Sequence, residues 1–323
     1  MIYVTGDIHG TIDIRKLLKN NVTEKITEND YVIICGDFGL VWNYKKEDGK
    51  ERKWLKWLNN QRWTTLFVDG NHECFPRLNS FPVKEWHGGR VHEVRPKVLH
   101  LMRGEIFEIE GSTFFAMGGA SSHDRGPAKG DTDAVIGKSW WPEEIPSDEE
   151  MEYALKNLEK HGNKVDYIIT HCLPTMYQGF VKQGQFPPDK VSEFFEKVNS
   201  IVKYEYWYSG HYHCNVDVTR NMSVVYSRII PVGMPVRNAD IIMGIPKYRT
   251  GETVLTMNGD EPALAMVLKV EPWGPVLKRS DEPMYEITFF GDDFSEKGIM
   301  IKESQIIEKS LIYEEEEEED IDA

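Results

Sequence analysis

The sequence has no apolar run approaching the roughly 18 residues of a membrane span, which argues against a helical transmembrane protein. Its first residues, Met1-Ile2-Tyr3-Val4-Thr5-Gly6-Asp7, carry neither a basic stretch nor a long apolar one. No secretory signal is predicted from them, and a cytoplasmic location is expected. Cysteine is scarce: Cys35, Cys74, Cys172 and Cys214 are the whole set, and none forms a C-x-x-C pair. A structural zinc site is therefore not expected, and the four thiols read as small, reduced, buried residues. Positive charge is in the minority. Lys and Arg total 38 against 53 Asp and Glu, a net of −15, and eight of the negative charges sit in Glu314–Glu319, Asp320 and Asp322. The remainder carries −7, so the body is mildly acidic and weakly suited to broad, sequence-independent binding of a nucleic-acid backbone. The acidic run repels itself and is expected to be a disordered tail, 310–323.

What is present is enough apolar material for a sizeable core: 40% of the 323 residues are hydrophobic and 11% aromatic, which suits one large or two unequal domains. Ile2–Thr5, Tyr31–Cys35, Thr65–Val68, Thr113–Met117, Tyr167–Thr170 and Tyr206–Ser209 are short apolar runs rich in β-branched and aromatic residues. Such runs predict strands covered on both faces. Between them, Ser147-Asp-Glu-Glu150 is a capping-box pattern ahead of Met151, Leu155 and Leu158. Glu51–Gln61 puts Trp54, Leu55, Trp57 and Leu58 on one face, and Phe194, Phe195 and Val198 mark another helix. Alternating strands and helices predict a layered α/β domain over 1–232. After Val232 the helical period disappears. Thr253–Met257, Asn258-Gly259 and Leu264–Val270 predict a hairpin, and Met284–Phe290, a Gly-Asp-Asp turn and Gly298–Ile301 predict a second. A small β-barrel of the SH3-like kind is expected over 247–309, joined by an exposed linker around Pro231–Pro246.

The residues that follow the strands carry the chemistry. Gly6-Asp7-Ile8-His9-Gly10, Gly36-Asp37, Asp69-Gly70-Asn71-His72-Glu73, His171 and Gly210-His211-Tyr212-His213 each stand immediately after an apolar run. Ligands of open α/β sheets bind outside the carboxyl ends of the strands. Carboxylate, amide and imidazole donors without thiolate suit divalent Mn, Fe, Zn or Ni, with Mn the first choice for assay. There are more donors than one ion needs, and one carboxylate can bridge two ions, so a two-metal site of the kind that clamps a phosphoryl displacement is expected.

At these motifs the sequence resembles the calcineurin-like metallophosphoesterase family, over about residues 1–230. The resemblance implies a four-layer α/β/β/α sandwich with a binuclear centre. It implies that Asp7, His9 and His213 hold one ion, that Asn71, His171 and His211 hold the other, and that Asp37 bridges them. It gives His72 the role of general acid. The implied reaction is hydrolysis of a phosphate ester by a metal-bridging hydroxide. Trp86-His87-Gly88-Gly89, the Gly118–Asp124 loop and Trp140-Trp141-Pro142-Glu143-Glu144 resemble a bacterial and phage-type branch of the family.

One departure bears on the substrate. Protein phosphatases of this family carry Gly-Asp-x-x-Asp-Arg-Gly at the second motif, and here Leu40 and Val41 occupy the Asp and Arg positions. Phosphodiesters, nucleotides or nucleic acid thus become stronger candidates beside a phosphorylated small molecule. Glu73 or Asp124 is a candidate to orient His72. Arg125, then Arg62 or Arg103, is a candidate phosphate grip, and His123 a candidate substrate contact. Trp42, Trp86, Trp140 and Trp141 either wall the cleft or pack the core. An inactive fold serving as a scaffold is the alternative of another class, which the complete donor set opposes. No partner of the C-terminal module is legible.

Overall fold

Ile2–Thr5 (β1), Tyr31–Cys35 (β2) and Thr64–Val68 (β3) lie side by side in parallel in the computed structural model. The structure describes residues 1–18, 23–122, 140–181, 187–236, 248, 252–259, 261–271, 284–290 and 298–309. Along β2 the side chains alternate as a strand requires: Ile33 joins one core, while Val32 and Ile34 join another. Burial on both faces is why these runs are apolar throughout.

The first sheet continues past β3 with Val98–Leu101 (β6), again parallel. Val83–Trp86 (β4) and Gly89–Arg95 (β5) add an antiparallel hairpin at that edge, and Ile230–Pro231 (β13) pairs antiparallel with β1 at the other. The order is β13-β1-β2-β3-β6-β5-β4. Trp86-His87-Gly88-Gly89 is the tight turn of the hairpin, with φ of 48° at His87 and 88° at Gly88, as a primed two-residue turn needs. Its Trp86 packs on Tyr31 and Phe107, and so belongs to the core.

Glu105–Ile109 (β7), Ser112–Met117 (β8), Tyr167–Thr170 (β9), Tyr206–Ser209 (β10), Val216–Thr219 (β11) and Met222–Val224 (β12) form a second sheet, ordered β11-β12-β10-β9-β8-β7. Val4, Ile33 and Leu66 of the first sheet share one buried cluster with Phe107, Phe114, Ile169 and Tyr208 of the second, so the two sheets face each other. On the outer side of the first sheet, Leu55 and Leu58 of Gly49–Asn59 (α1) pack with Tyr3, Val32, Ile34 and Phe67. Asp48 caps α1 through Lys50 and Glu51, which starts the helix two residues before the predicted Glu51. Phe75–Leu78 (α2) follows the third motif. Asp148–Lys160 (α3) begins at the predicted Ser147 capping box. Thr175–Val181 (α4) precedes Lys190–Ile201 (α5), whose Phe195 meets Trp207 of the second sheet edge-on at 5.9 Å.

The chain divides into two compact units, Met1–Ala239 and Asp240–Ala323. In the second, Thr253–Asn258 (β14), Glu261–Glu271 (β15), Met284–Phe289 (β16), Ile299–Lys302 (β17) and Ile306–Lys309 (β18) form one antiparallel sheet. Its order is β17-β16-β15-β14-β18. Asn258 pairs with Glu261, and Gly259 has φ of 64°, as the predicted Asn-Gly turn requires. Val254, Ala265, Val267, Tyr285 and Ile287 are its buried centre. The Gly-Asp-Asp turn, most of the Pro231–Pro246 linker after Val236, and the tail 310–323 lie outside the described residues. Among the described residues no helix is long and apolar enough to cross a membrane.

Candidate metal centre and active site

β1, β2, β3, β9 and β10 all end at one place, and the motif residues turn there. Four of them adopt left-handed backbone: His9 at φ 44°, Asp37 at 46°, His211 at 68° and His213 at 49°. Non-glycine residues seldom do so, at roughly 1–3 kcal/mol each, and this kind of strain concentrates at functional sites. The glycines beside them allow close approach. A Cβ on Gly36 would fall 2.1 Å from His171 Nδ1, and one on Gly210 would fall 2.2 Å from Asp7 Oδ1.

The side chains converge. Donor atoms of Asp7, His9, Asp37 and His213 lie within 4.8 Å of one another, and so do those of Asp37, His171 and His211. Asp37 is common to both groups. Asn71 joins the second, its Oδ1 3.3 Å from His171 Nε2. All seven predicted ligands are thereby brought together. The pairs Asp37–His9, Asp37–His171 and Asp7–His213 each stand 3.2 Å apart. Two ligands bonded at about 2.0–2.2 Å to one ion are forced to roughly this separation. The donor set and its spacing therefore fit divalent cations.

Surrounding groups fix the donors. His9 Nδ1 meets Asp13 Oδ2 at 2.7 Å, and the Asp13 carboxylate also accepts the Tyr226 hydroxyl at 3.1 Å. His171 Nδ1 faces the Cys35 carbonyl at 2.7 Å, which turns Nε2 toward Asp37. Asn71 Nδ2 donates to Ser122 Oγ at 3.2 Å, and Ser122 donates to Glu144 at 2.7 Å. With its NH₂ so engaged, Asn71 presents its oxygen to the cluster. The sequence reading missed Asp13, Ser122 and Glu144. Asp13, four residues after His9, had a local signal; the other two come together only through the fold.

The electrostatics are those of a cation site. Burial alone lowers the basicity of His9, but its hydrogen bond to Asp37, the charges of Asp37 and Asp7 and its hydrogen bond to Asp13 override this and lift its pKa to about 9. Burial likewise opposes protonation of His171, and Asp37 and Asp7 raise it to about 10. Burial raises Asp37, while the charge and hydrogen bond of His171 and the bond from His9 hold it well below the usual carboxylate range. The protein places positive charge opposite these carboxylates, as a metal would.

His72, the predicted general acid, sits beside the cluster with its ring 5.4 Å from that of His9 and 5.7 Å from that of Trp42. Leu40 and Val41 are fully buried, so they present no polar group where a protein phosphatase has Asp and Arg. Two expectations are corrected. Glu73 does not turn toward His72: its oxygens accept the amides of Phe38 at 2.7 Å and Gly70 at 3.1 Å, tying the second and third motifs together. Arg103 is no phosphate grip, because it is buried against Asp69 at 2.6 Å and Glu150 at 3.0 Å. Arg62 is exposed. Arg125, His123 and Asp124 lie outside the described residues. Of the four tryptophans, Trp42 borders the open space at His72, while Trp141 is buried against it. None of the four cysteines is in a disulfide; Cys35, Cys74 and Cys172 are buried and Cys214 is partly so.

Known proteins resemble about two-thirds of the chain. A lariat debranching enzyme of Drosophila pseudoobscura pseudoobscura is 21% identical over 243 residues, covering 66% of this chain and 42% of its own length. The Drosophila melanogaster lariat debranching enzyme is 22% identical over 244 residues, with the same coverage. The chain thus matches about two-fifths of the length of these relatives. Neither relative places it in the bacterial and phage-type branch. The calcineurin-like phosphoesterase family model matches residues 1–215, two-thirds of the chain, and the protein belongs to that family.

Proposed function

We propose that the chain is a binuclear metal-dependent phosphoesterase that acts on phosphodiesters in preference to monoesters. The observation that carries the reading is the position of Asp37, shared by two clusters of oxygen and imidazole donors, with His72 at their side. Asp7, His9, Asp37 and His213 would hold one ion, and Asp37, Asn71, His171 and His211 the other. Bound there, two divalent ions would supply water activation and charge neutralisation at the phosphoryl group. His72 donates a proton to the departing ester oxygen. Asp37 accepts the His72 backbone amide at 2.9 Å and so anchors the loop that carries that imidazole.

The diester preference rests on Leu40 and Val41. A monoester dianion carries one more negative charge than a diester, and these apolar positions give it no cation. The similarity to proteins named lariat debranching enzymes supports the same direction. The β14–β18 sheet, with its short 3₁₀ turn at Glu303–Gln305 before the last strand, supports an SH3-like module over 247–309 that follows a catalytic domain of 1–232 in the chain.

The test is a manganese-supplemented assay of the full chain on bis(p-nitrophenyl) phosphate and p-nitrophenyl phosphate. The reading expects kcat/KM at least tenfold higher on the diester. Equal or reversed values would leave a phosphoesterase without the diester preference.

A further inference from the structure

A cavity of about 350 Å³ opens next to His72, within the range of small-molecule sites. His9, His72, Trp42, Asn43, Ile12 and Lys50 are among its lining. Because a general acid faces the leaving oxygen, the group attached to that oxygen must occupy the space His72 borders. This inference rests on the phosphoesterase reading and concerns which alcohol departs.

The aromatic wall is held in place. Trp42 meets the buried Trp141 edge-on at 5.8 Å. The backbone amides of Trp42 and Asn43 both donate to Glu51 Oε1, at 2.7 and 2.9 Å, and that of Asp48 donates to Glu51 Oε2 at 3.1 Å. Glu51 is only 4% exposed and is paired with Arg77 at 3.0 Å, and Arg77 also donates to the Asn43 carbonyl. One buried carboxylate thus fixes both the start of α1 and the loop that carries Trp42. A pre-set indole face binds a planar ring at little ordering cost. Asn43 and Lys50 add an amide and a cation to the lining for the polar edge of such a ring.

We propose that this cavity is the leaving-group subsite and that it takes a nucleoside whose base stacks on Trp42. The Glu51–Arg77 pair keeps the stacking face in position.

The test compares two substrates of the manganese-loaded full chain: thymidylyl-thymidine and the methyl ester of thymidine 5′-monophosphate. They share thymidine 5′-phosphate and differ in the other ester group, thymidine or methyl, and only turnover that releases thymidine 5′-monophosphate, in which that group departs, is counted. Trp42→Leu keeps apolar packing on Trp141 and removes the ring; Trp42→Phe restores a ring. The expected result is a KM for thymidylyl-thymidine raised about tenfold or more in Trp42→Leu, as loss of one base stack implies, with a several-fold smaller effect on the methyl ester and substantial recovery in Trp42→Phe. Equal effects on both substrates would overturn the proposal. A second readout needs no turnover: saturation-transfer NMR of adenosine with the metal-free chain should show base contacts that Trp42→Leu abolishes. Absence of those contacts in the wild type overturns the subsite. A wild type that hydrolyses bis(p-nitrophenyl) phosphate but not thymidylyl-thymidine does the same while leaving the phosphoesterase reading standing. Adenosine contacts without turnover of any diester would support the subsite and remove the phosphoesterase reading instead.

Discussion

Asp37 Oδ1 accepts the backbone N–H of His72 at 2.9 Å. The carboxylate shared by both donor clusters therefore also anchors the residue proposed to protonate the leaving group. The same oxygen accepts the Asn71 amide at 2.9 Å, so a single side chain on the loop after β2 organises the loop after β3. On the proposed reading, metal binding and acid catalysis are coupled through it.

If His72 is the general acid, His72→Asn should retain metal content and lose activity by about 10²–10⁴-fold on alkyl esters. Loss on p-nitrophenyl esters should be much smaller, because that group departs without a proton. The dependence of log kcat on leaving-group pKa measures this. Parallel losses across leaving groups would take the role away from His72.

Ser122 and Glu144 orient Asn71, a proposed ligand, without being ligands themselves. Ser122→Ala should weaken metal binding about 10–100-fold, the usual effect of losing such a partner. Thermal stability should change little, since Ser122 is only partly buried. Calorimetric titration with Mn²⁺ gives the affinity, and an unchanged affinity would show that the amide needs no such support.

His9 at about 9 and His171 at about 10 both lie above the ordinary value of 6.5. A group whose folded pKa is raised contributes stability that is complete below its unfolded pKa and is lost as pH rises through the folded one. Glu73, pushed to about 8 by burial and by the charges of Asp37 and Asp69, acts in the same direction at lower pH. Lys16, lowered by burial to about 8, opposes them only above that pH. The metal-free protein should therefore lose melting temperature between pH 6.5 and 8. Metal affinity should rise over the same interval, because ions displace the imidazole protons. Melting curves in chelator that stay flat across this range would contradict the assignment.

Glu73→Ala should destabilise the fold strongly. It leaves the buried amides of Phe38 and Gly70 without their acceptor, at about 1–3 kcal/mol for each. Glu73→Gln retains one acceptor and should cost less. Urea unfolding of the three proteins gives the order, and an alanine variant as stable as the wild type would exclude this bracing role.

The strands that carry the site were legible because burial on both faces makes them continuously apolar: Tyr167–Thr170 and Tyr206–Ser209 end where the sequence predicts. Val83–Trp86 was not, since it is an edge strand, largely exposed, and its Lys84 and Glu85 break the apolar pattern. The candidate ligands stood out because each follows a strand within a short motif. The groups that brace them did not. Asn71 and Ser122 are 51 positions apart, and Arg103 and Asp69 are 34 apart. Arg103 looked available for phosphate because a sequence gives its charge but not the buried carboxylate that neutralises it.

The most direct test of the central claim is the number of ions the chain binds through Asp37. The chain stripped with chelator and titrated with Mn²⁺ should take up two ions per chain, and Asp37→Asn should lose the tight binding of both and about 10²-fold or more of diesterase activity. One ion per chain in the wild type, or two still tightly held in Asp37→Asn, would contradict a binuclear centre bridged by Asp37.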